Sequence, residues 1–341
     1  MPRTSIVIPT YNRRPLVQRA IESVLRQRGS EAFEIVVVDD GSRDGTPAVL
    51  RARYAGEPRV RVLQCAHRGP SAARNLGFAA SRGDIVCFLD SDDRLLPQAL
   101  RRVDDVFARH PELAFASLEG FTQGRRARIV RTNPGWTVAH TAGPPGGVSD
   151  EADAYLLRAD LFPAVLDGDL FYLSGLFIRR TAVQSSGPFN ERYRLLEDWD
   201  FHARLCLRGA GALLDRIGFV RGASSADQLS RRLSPVRQAA MRVRVVENAA
   251  RSGFARRRAD RVQLERAACD ARYWLGRLLA ASRHPRVGRR LLLASLRRGY
   301  KPARSLALLG MSALRSGLRR LARSFDPAAA RRPPRIADNV T

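Results

Sequence analysis

Cys87-Phe88-Leu89-Asp90-Ser91-Asp92-Asp93 runs from a short apolar stretch into three carboxylates within four positions. Like charges this close raise one another's pKa unless a cation or a set of donors compensates. Carboxylate oxygens are hard ligands that suit Mg²⁺ or Mn²⁺, and a magnesium site on one or two carboxylates completes its shell with substrate phosphates and water. For an isolated stretch the plain alternative is a solvated acidic turn. The flanking sequence decides between the two.

Working outward, short β-branched runs at 6–8, 34–38, 60–63 and 85–89 alternate with amphipathic segments at 16–28, 48–54, 72–81 and 95–110. Strands spaced by helices of this length predict βαβ units and a mostly parallel sheet, Rossmann-like over the first 110 residues. Ligands of such sheets gather beyond the carboxyl ends of the strands. Here the first strand ends in Pro9-Thr10-Tyr11-Asn12, with neither GxGxxG nor GxxxxGK[ST], which argues against dinucleotide enzymes and P-loop NTPases.

Tyr11 is a candidate base-stacking ring, or simply packs. The second strand ends in Asp39-Asp40-Gly41-Ser42, where carboxylates can accept from a base imide or ribose hydroxyls. Gly69-Pro70-Ser71-Ala72-Ala73-Arg74 opens a helix with small residues, so its amides can approach an anion, and Arg74 is a candidate diphosphate contact. Further on, 120–150 is rich in Arg, Gly and Pro, and Gly143-Pro144-Pro145-Gly146-Gly147 reads as a mobile loop. Residues 171–178 read as a strand interrupted by Ser174-Gly175, where glycine permits close approach of a ligand. Glu197-Asp198-Trp199-Asp200 opens a helix, where Asp also serves as a cap.

The series Ile6–Asn12, Val38–Ser42, Ala73–Gly77 and Leu89–Asp93, followed by Glu197-Asp198, closely resembles the family 2 glycosyltransferases of the GT-A fold over residues 4–220. The resemblance implies an α/β GT-A domain over 1–220, its nucleotide-binding half at 1–110 and its acceptor and catalytic-base half at 111–220. It implies that Pro9, Tyr11, Asp40, Arg74, Asp90 and Ser91 bind the nucleotide sugar: Tyr11 stacks on the base, Asp40 accepts its N–H and Asp90 holds ribose. Asp92, with Asp90, would ligate a divalent cation, Mg²⁺ or Mn²⁺. Asp198, next to Glu197, would be the catalytic base, with Asp200 the lesser candidate and Trp199 an acceptor-side or packing ring. His202, one turn on, is a candidate to orient Asp198 and is otherwise structural. The implied reaction moves a sugar, most often from UDP-sugar, to a hydroxyl of a glycan or lipid-linked acceptor with inversion. Relatives often place a histidine or arginine on the diphosphate from a lid after the base. The stretch 221–230 holds no histidine, which leaves Arg221 or Arg231 for that task.

The net charge of +26 is uneven. Residues 221–341 carry 29 Lys+Arg against 7 Asp+Glu, and residues 1–220 carry 30 against 26. A basic α-helical region is expected over 221–325 and a disordered tail over 326–341. Leu314, Leu318 and Leu321, interspersed with arginines, have the composition of a helix that lies on an anionic membrane. Nucleic acid is a weaker expectation, because the arginines lack interleaved aromatics. The four cysteines show no metal spacing and predict a reducing compartment. With no long apolar run, the expected location is cytoplasmic, peripheral on the inner membrane face. The competing reading is a non-catalytic GT-A-like protein whose basic tail binds membrane or nucleic acid.

Overall fold

The computed structural model describes residues 3–122 except 31, then 125–127, 139–140, 154–157, 162, 165–166, 171–222 except 194, and 234–324 except 252 and 283. The first half alternates as the sequence predicts: β1 (Thr4–Thr10), α1 (Arg14–Leu25), β2 (Phe33–Asp39), α2 (Thr46–Arg53), β3 (Val60–Gln64), α3 (Pro70–Ala80) and β4 (Ile85–Phe88). Every residue of β1, β2 and β4 is buried. Strands covered on both faces have no solvent side to alternate with, which explains their continuous apolar runs. α1 meets the sheet through Val17, Ala20, Ile21 and Val24, one stripe at helical spacing. Proline stands in the first turn of α1, α2 and α3, where a missing N–H costs nothing.

The sheet order is β3-β2-β1-β4-β10-β6-β11-β9-β8. β1 pairs in parallel with β2 and β4, and β2 with β3. The expected mostly parallel sheet holds only this far. β10 (Leu176–Arg179) runs antiparallel to both β4 and β6 (Phe115–Thr122), and the sheet is mixed from that seam onward. β11 (Gly211–Val220) then pairs in parallel with β6 and antiparallel with β9 (Ala154–Leu157), which in turn pairs with β8 (Ala139–His140). The short β5 (Arg94–Leu95) and β7 (Arg125–Ala127) pair with β11 and β6.

The helix expected over 95–110 begins later, as α4 (Ala99–Arg109). Leu95 is spent on β5 pairing with Phe219, and Gln98 enters the helix at φ 68 after Pro97. In the 171–178 stretch, a 3₁₀ turn (Leu173–Gly175) precedes β10. Gly175 is required by packing rather than by a ligand: a Cβ there would lie 2.4 Å from the Phe219 ring. Gly77 has an equivalent reason, because its Cβ would lie 2.3 Å from Val7 Cγ1 where α3 seats on β1. α5 (Arg180–Ser186) and α6 (Glu197–Cys206) complete this half.

Among the described residues four helices follow: α7 (Pro235–Arg251), α8 (Arg258–Ala280), α9 (Pro285–Arg297) and α10 (Pro302–Ser324). The chain divides into one compact unit of Met1–Arg232 with Asn248–Leu264 and another of Leu233–Glu247 with Glu265–Thr341. In the first, Asn248 Nδ2 donates to the Tyr193 hydroxyl at 2.7 Å. In the second, Asp270 accepts from Tyr300 and Lys301, and Tyr273, Ala280 and Leu292 form the centre of a small core. Among the described residues no helix is long and apolar enough to cross a membrane. The Gly143–Gly147 segment, the 223–230 stretch, Arg231 and the 326–341 tail lie outside the described residues.

Candidate active site

The carboxyl ends of β1, β2, β3 and β4 converge, and the loops that follow them are tied to one another. After β1, Asn12 adopts φ 51 and bonds twice to the loop after β2: its amide donates to Ser42 Oγ, and its Oδ1 accepts from the Arg43 amide, both at 2.8 Å. The paired aspartates of β2 brace two loops. Asp39 Oδ1 accepts from the Ser42 amide at 2.8 Å. Asp40, 3% exposed, accepts from the amides of Arg68 and Gly69 at 2.8 Å, one on each oxygen, with His67 Nδ1 2.9 Å from Oδ2. Asp40 thereby orders the turn that holds His67 against Tyr11, the two rings stacked with centroids 4.1 Å apart. Next to this platform, Thr10 Oγ1 and Asp39 Oδ2, cross-strand neighbours, are buried polar atoms without partners. Pro9 is buried within β1, and Ser91 is buried in the loop after β4.

The three carboxylates after β4 have separate surroundings. Asp90 is the most open, and its Oδ1 accepts from Arg74 Nη2 at 2.8 Å. Asp92 Oδ2 meets Arg13 Nη1 at 3.2 Å. Burial and the Asp90 charge raise the Asp92 pKa against the pull of Arg13 and Arg221. Asp93 points inward as a brace, its Oδ2 accepting from Ser174 Oγ and its Oδ1 from the Gly222 amide at 2.9 Å. Burial, then the Asp90 charge, pushes its pKa up to about 7. Ser174 Oγ also accepts from the Asp90 amide at 3.1 Å. Gly222 lies so close to this loop that a Cβ would stand 2.4 Å from the Asp92 carbonyl oxygen.

α6 brings in the second half of the site. Leu196 enters it at φ 61, and Glu197, Asp198 and Asp200 crowd its first turn, where the helix dipole favours negative charge. Arg74 Nη1 donates to Glu197 Oε1 at 2.8 Å, so one buried guanidinium spans Asp90 and Glu197. Burial works against its charge, but the two carboxylates outweigh it and raise the pKa above the usual arginine value. Arg74, expected on a diphosphate, is thus held between carboxylates and over the Phe189 ring. Asp198, half-buried beside Glu197, accepts from the Trp199 amide at 2.8 Å, so it caps its own helix. Trp199 is a packing ring, buried with Nε1 on the Val165 carbonyl, and Asp200 pairs with Arg204 at 2.8 Å. His202 is fully buried against the edge of Phe171.

Arg13 and His67 are site residues that the sequence reading did not single out. Asp39, Asp93 and Ser174 stood there only within larger features: the paired aspartates after the second strand, the acidic run and the Ser-Gly interruption. Arg221 stacks over Tyr172 with its guanidinium 4.5 Å from the ring, where its charge acts on Asp92. Among the described residues, no three His, Cys, Asp or Glu side chains gather as a metal cage. The fit to a divalent ion rests instead on Asp90 and Asp92, hard oxygen donors that each already meet a cationic side chain. Such a pair suits an ion that takes its remaining ligands from phosphate and water. The thiols do not contribute: Cys65 is pushed up to about 11, by burial and then the Asp40 charge, and Cys87 is raised by burial.

Comparison with known proteins agrees with this architecture. Succinoglycan biosynthesis protein ExoO of Rhizobium meliloti is 32% identical over 58% of this chain and 54% of that protein, so the chain spans about half of its length. The structure of S. aureus TarS 1-349 in complex with UDP-GlcNAc superposes with a TM-score of 0.63 at 18% identity, over 91% of this chain and 84% of that one. Mannosyltransferase PcManGT from Pyrobaculum calidifontis, in complex with GDP-Man and Mn2+, gives 0.54 at 18% identity, over 94% and 87%. These structures share the GT-A fold with this chain. The model of glycosyl transferase family 2 matches residues 5–158, the stretch that carries β1 to β4 and the Asp90–Asp93 run.

Proposed function

We propose that the protein transfers a sugar from a nucleoside diphosphate sugar, a UDP-sugar first among candidates, to a hydroxyl of a glycan or lipid-linked acceptor in cell-surface polysaccharide synthesis. The observation that carries this reading is the buried Asp90–Arg74–Glu197 chain, which ties the open carboxylate after β4 to the helix turn bearing Asp198. The relatives support the substrate class. ExoO is named for a polysaccharide, and the two solved structures hold nucleotide sugars, one of them with Mn2+.

Tyr11 and His67 offer aromatic faces to the base, while Asp40 fixes the turn that holds them and is the acceptor this reading gives the base N–H. Asp90 and Asp92 would hold Mg²⁺ or Mn²⁺, which when bound neutralises charge on the departing diphosphate. Arg74 acts on the donor through Asp90. Asp198 takes the proton from the acceptor hydroxyl as that oxygen attacks the anomeric carbon. Attack from the face opposite the leaving diphosphate inverts the centre. The reading places the enzyme at the inner face of the cytoplasmic membrane.

A thermal-shift panel of UDP, GDP, dTDP and CMP, with and without Mn²⁺, tests it, because a ligand that binds the native state raises its melting temperature. The expected result is a metal-dependent shift with one nucleotide that is lost in Asp92→Asn and kept in Asp198→Asn, with both variants inactive in transfer. No shift with any nucleotide would favour the non-catalytic alternative.

A further inference from the structure

α10 carries apolar side chains on two faces over its first half. Its inward face packs Leu308 and Leu309 against the Tyr273, Ala280 and Leu292 core and buries Ser305 and Ser312, which donate to the Tyr300 and Ala280 carbonyls. Its outward face leaves Leu306, Met311 and Leu314 at 57%, 50% and 69% exposure. The residues between them on that face, Ala303, Ala307, Gly310 and Ala313, are exposed and uncharged. An exposed apolar face in addition to the one the core uses is a contact surface for a partner. On α9, exposed Val287 and Leu293 alternate with exposed Arg286, Arg290 and Arg297.

We infer that the outward faces of α9 and α10 dock on an anionic lipid surface, with Leu306, Met311 and Leu314 entering the acyl boundary and the α9 arginines meeting lipid headgroups. Charge selects this occupant. A second copy would bring another surface with 29 Lys+Arg against 7 Asp+Glu over residues 221–341 into contact with the first. Nucleic acid would satisfy the arginines and leave the row of leucines without use. An anionic membrane satisfies both, since an apolar face and flanking basic residues contribute together to interfacial binding. Arginine stems also lie along apolar surface while their heads stay hydrated. Because no described helix can span the bilayer, the attachment is peripheral. It does not depend on which donor or acceptor the enzyme uses.

The full chain is sedimented with vesicles of phosphatidylcholine alone and of phosphatidylcholine containing phosphatidylglycerol. The expected result is pelleting with the anionic vesicles only, weakened by salt. Two variants, Leu306→Ser/Met311→Ser/Leu314→Ser and Arg286→Glu/Arg290→Glu, should each lower partitioning by about tenfold or more. Both should keep wild-type circular dichroism and the nucleotide-dependent thermal shift, so failure of docking is separable from failure of the donor site. Wild-type partitioning by both variants would overturn the inference. So would a concentration-dependent dimer that the serine variant dissociates without any vesicle binding, or capture of duplex DNA with no vesicle binding.

Discussion

Arg74 and Glu197 lie 123 positions apart in the chain and meet through Nη1 and Oε1 at 2.8 Å, while the other arm of the same guanidinium holds Asp90. The loop after β4 and the first turn of α6 therefore share one cation. Arg74→Ala leaves a buried Glu197 without its partner, and breaking a buried pair in this way costs about 3–5 kcal/mol. Arg74→Lys keeps the charge but cannot reach both carboxylates. It should fold, bind nucleotide with modest loss and lose about a hundredfold in kcat, the scale of an ångström-sized misplacement. Equal kcat in Arg74→Lys and wild type, measured at saturating donor, would show that the bridge does not position the base.

Arg13 holds Asp92 by a single 3.2 Å contact. It also sits at the N-cap of α1, where the helix dipole repels a cation, so the carboxylate is what retains it there. A divalent ion at Asp92 competes with this arginine. Arg13→Gln should bind Mn²⁺ more tightly in the absence of nucleotide, by about two- to fivefold, given roughly 0.3–1 kcal/mol for a charge pair at partial exposure. Titration of free Mn²⁺ by electron paramagnetic resonance reads this directly.

Tyr11 presents an exposed ring backed by His67. Tyr11→Phe should keep nucleotide affinity near wild type. Tyr11→Ala should weaken it by about 1–3 kcal/mol, the range for loss of one base-stacking partner. Isothermal titration with the nucleotide that shifts the melting temperature tests the pair.

Glu34 lies at the opposite end of the sheet from the site, accepting from Ser5 Oγ at 2.7 Å and Arg61 Nη2 at 2.8 Å. Burial opposes its charge, but Ser5, the Arg82 amide and Arg61 together hold its pKa below the usual glutamate range. A lowered native pKa gives stability that is complete above the unfolded value, near 4.3, and lost as pH falls through the folded one. Wild type should therefore lose stability below about pH 4.3 more steeply than Glu34→Gln, which at pH 7 is already destabilised by about 1–3 kcal/mol. Urea melts across pH 3–7 would show the two curves converging in acid.

The donor half was legible because each step was local. β1 to β4 and the first three helices fall within about three residues of the expected spans, since continuous apolar runs and proline-led helices are short-range signals. The fourth helix was overextended because the pairing of Leu95 with Phe219 is a long-range fact. Roles were harder to read than positions. Arg74 looked like a surface cation near an anion site, because Glu197 is distant in sequence. Arg13 fell between the first motif, which ends at Asn12, and the helix expected over 16–28. Gly175 looked like an opening for a ligand, because nothing local announces the Phe219 ring that fills the space. The acidic run showed that charge was concentrated there, yet it did not show that Asp93 turns inward to Ser174 and Gly222 while Asp90 and Asp92 face cations.

The seam between β4 and β10, with its register of Phe177 to Cys87, Ile178 to Val86 and Arg179 to Ile85, is where the sheet changes strand direction. On the parallel side the loops brace one another through Asp39, Asp40 and Asn12, so an insertion or deletion in any of them disturbs all. The far half is fastened to the same edge by other bonds: Ser174 and the Gly222 amide hold Asp93, and Glu197 holds Arg74. A rearrangement on that side is therefore transmitted to the carboxylate loop after β4 through Asp93 and Arg74.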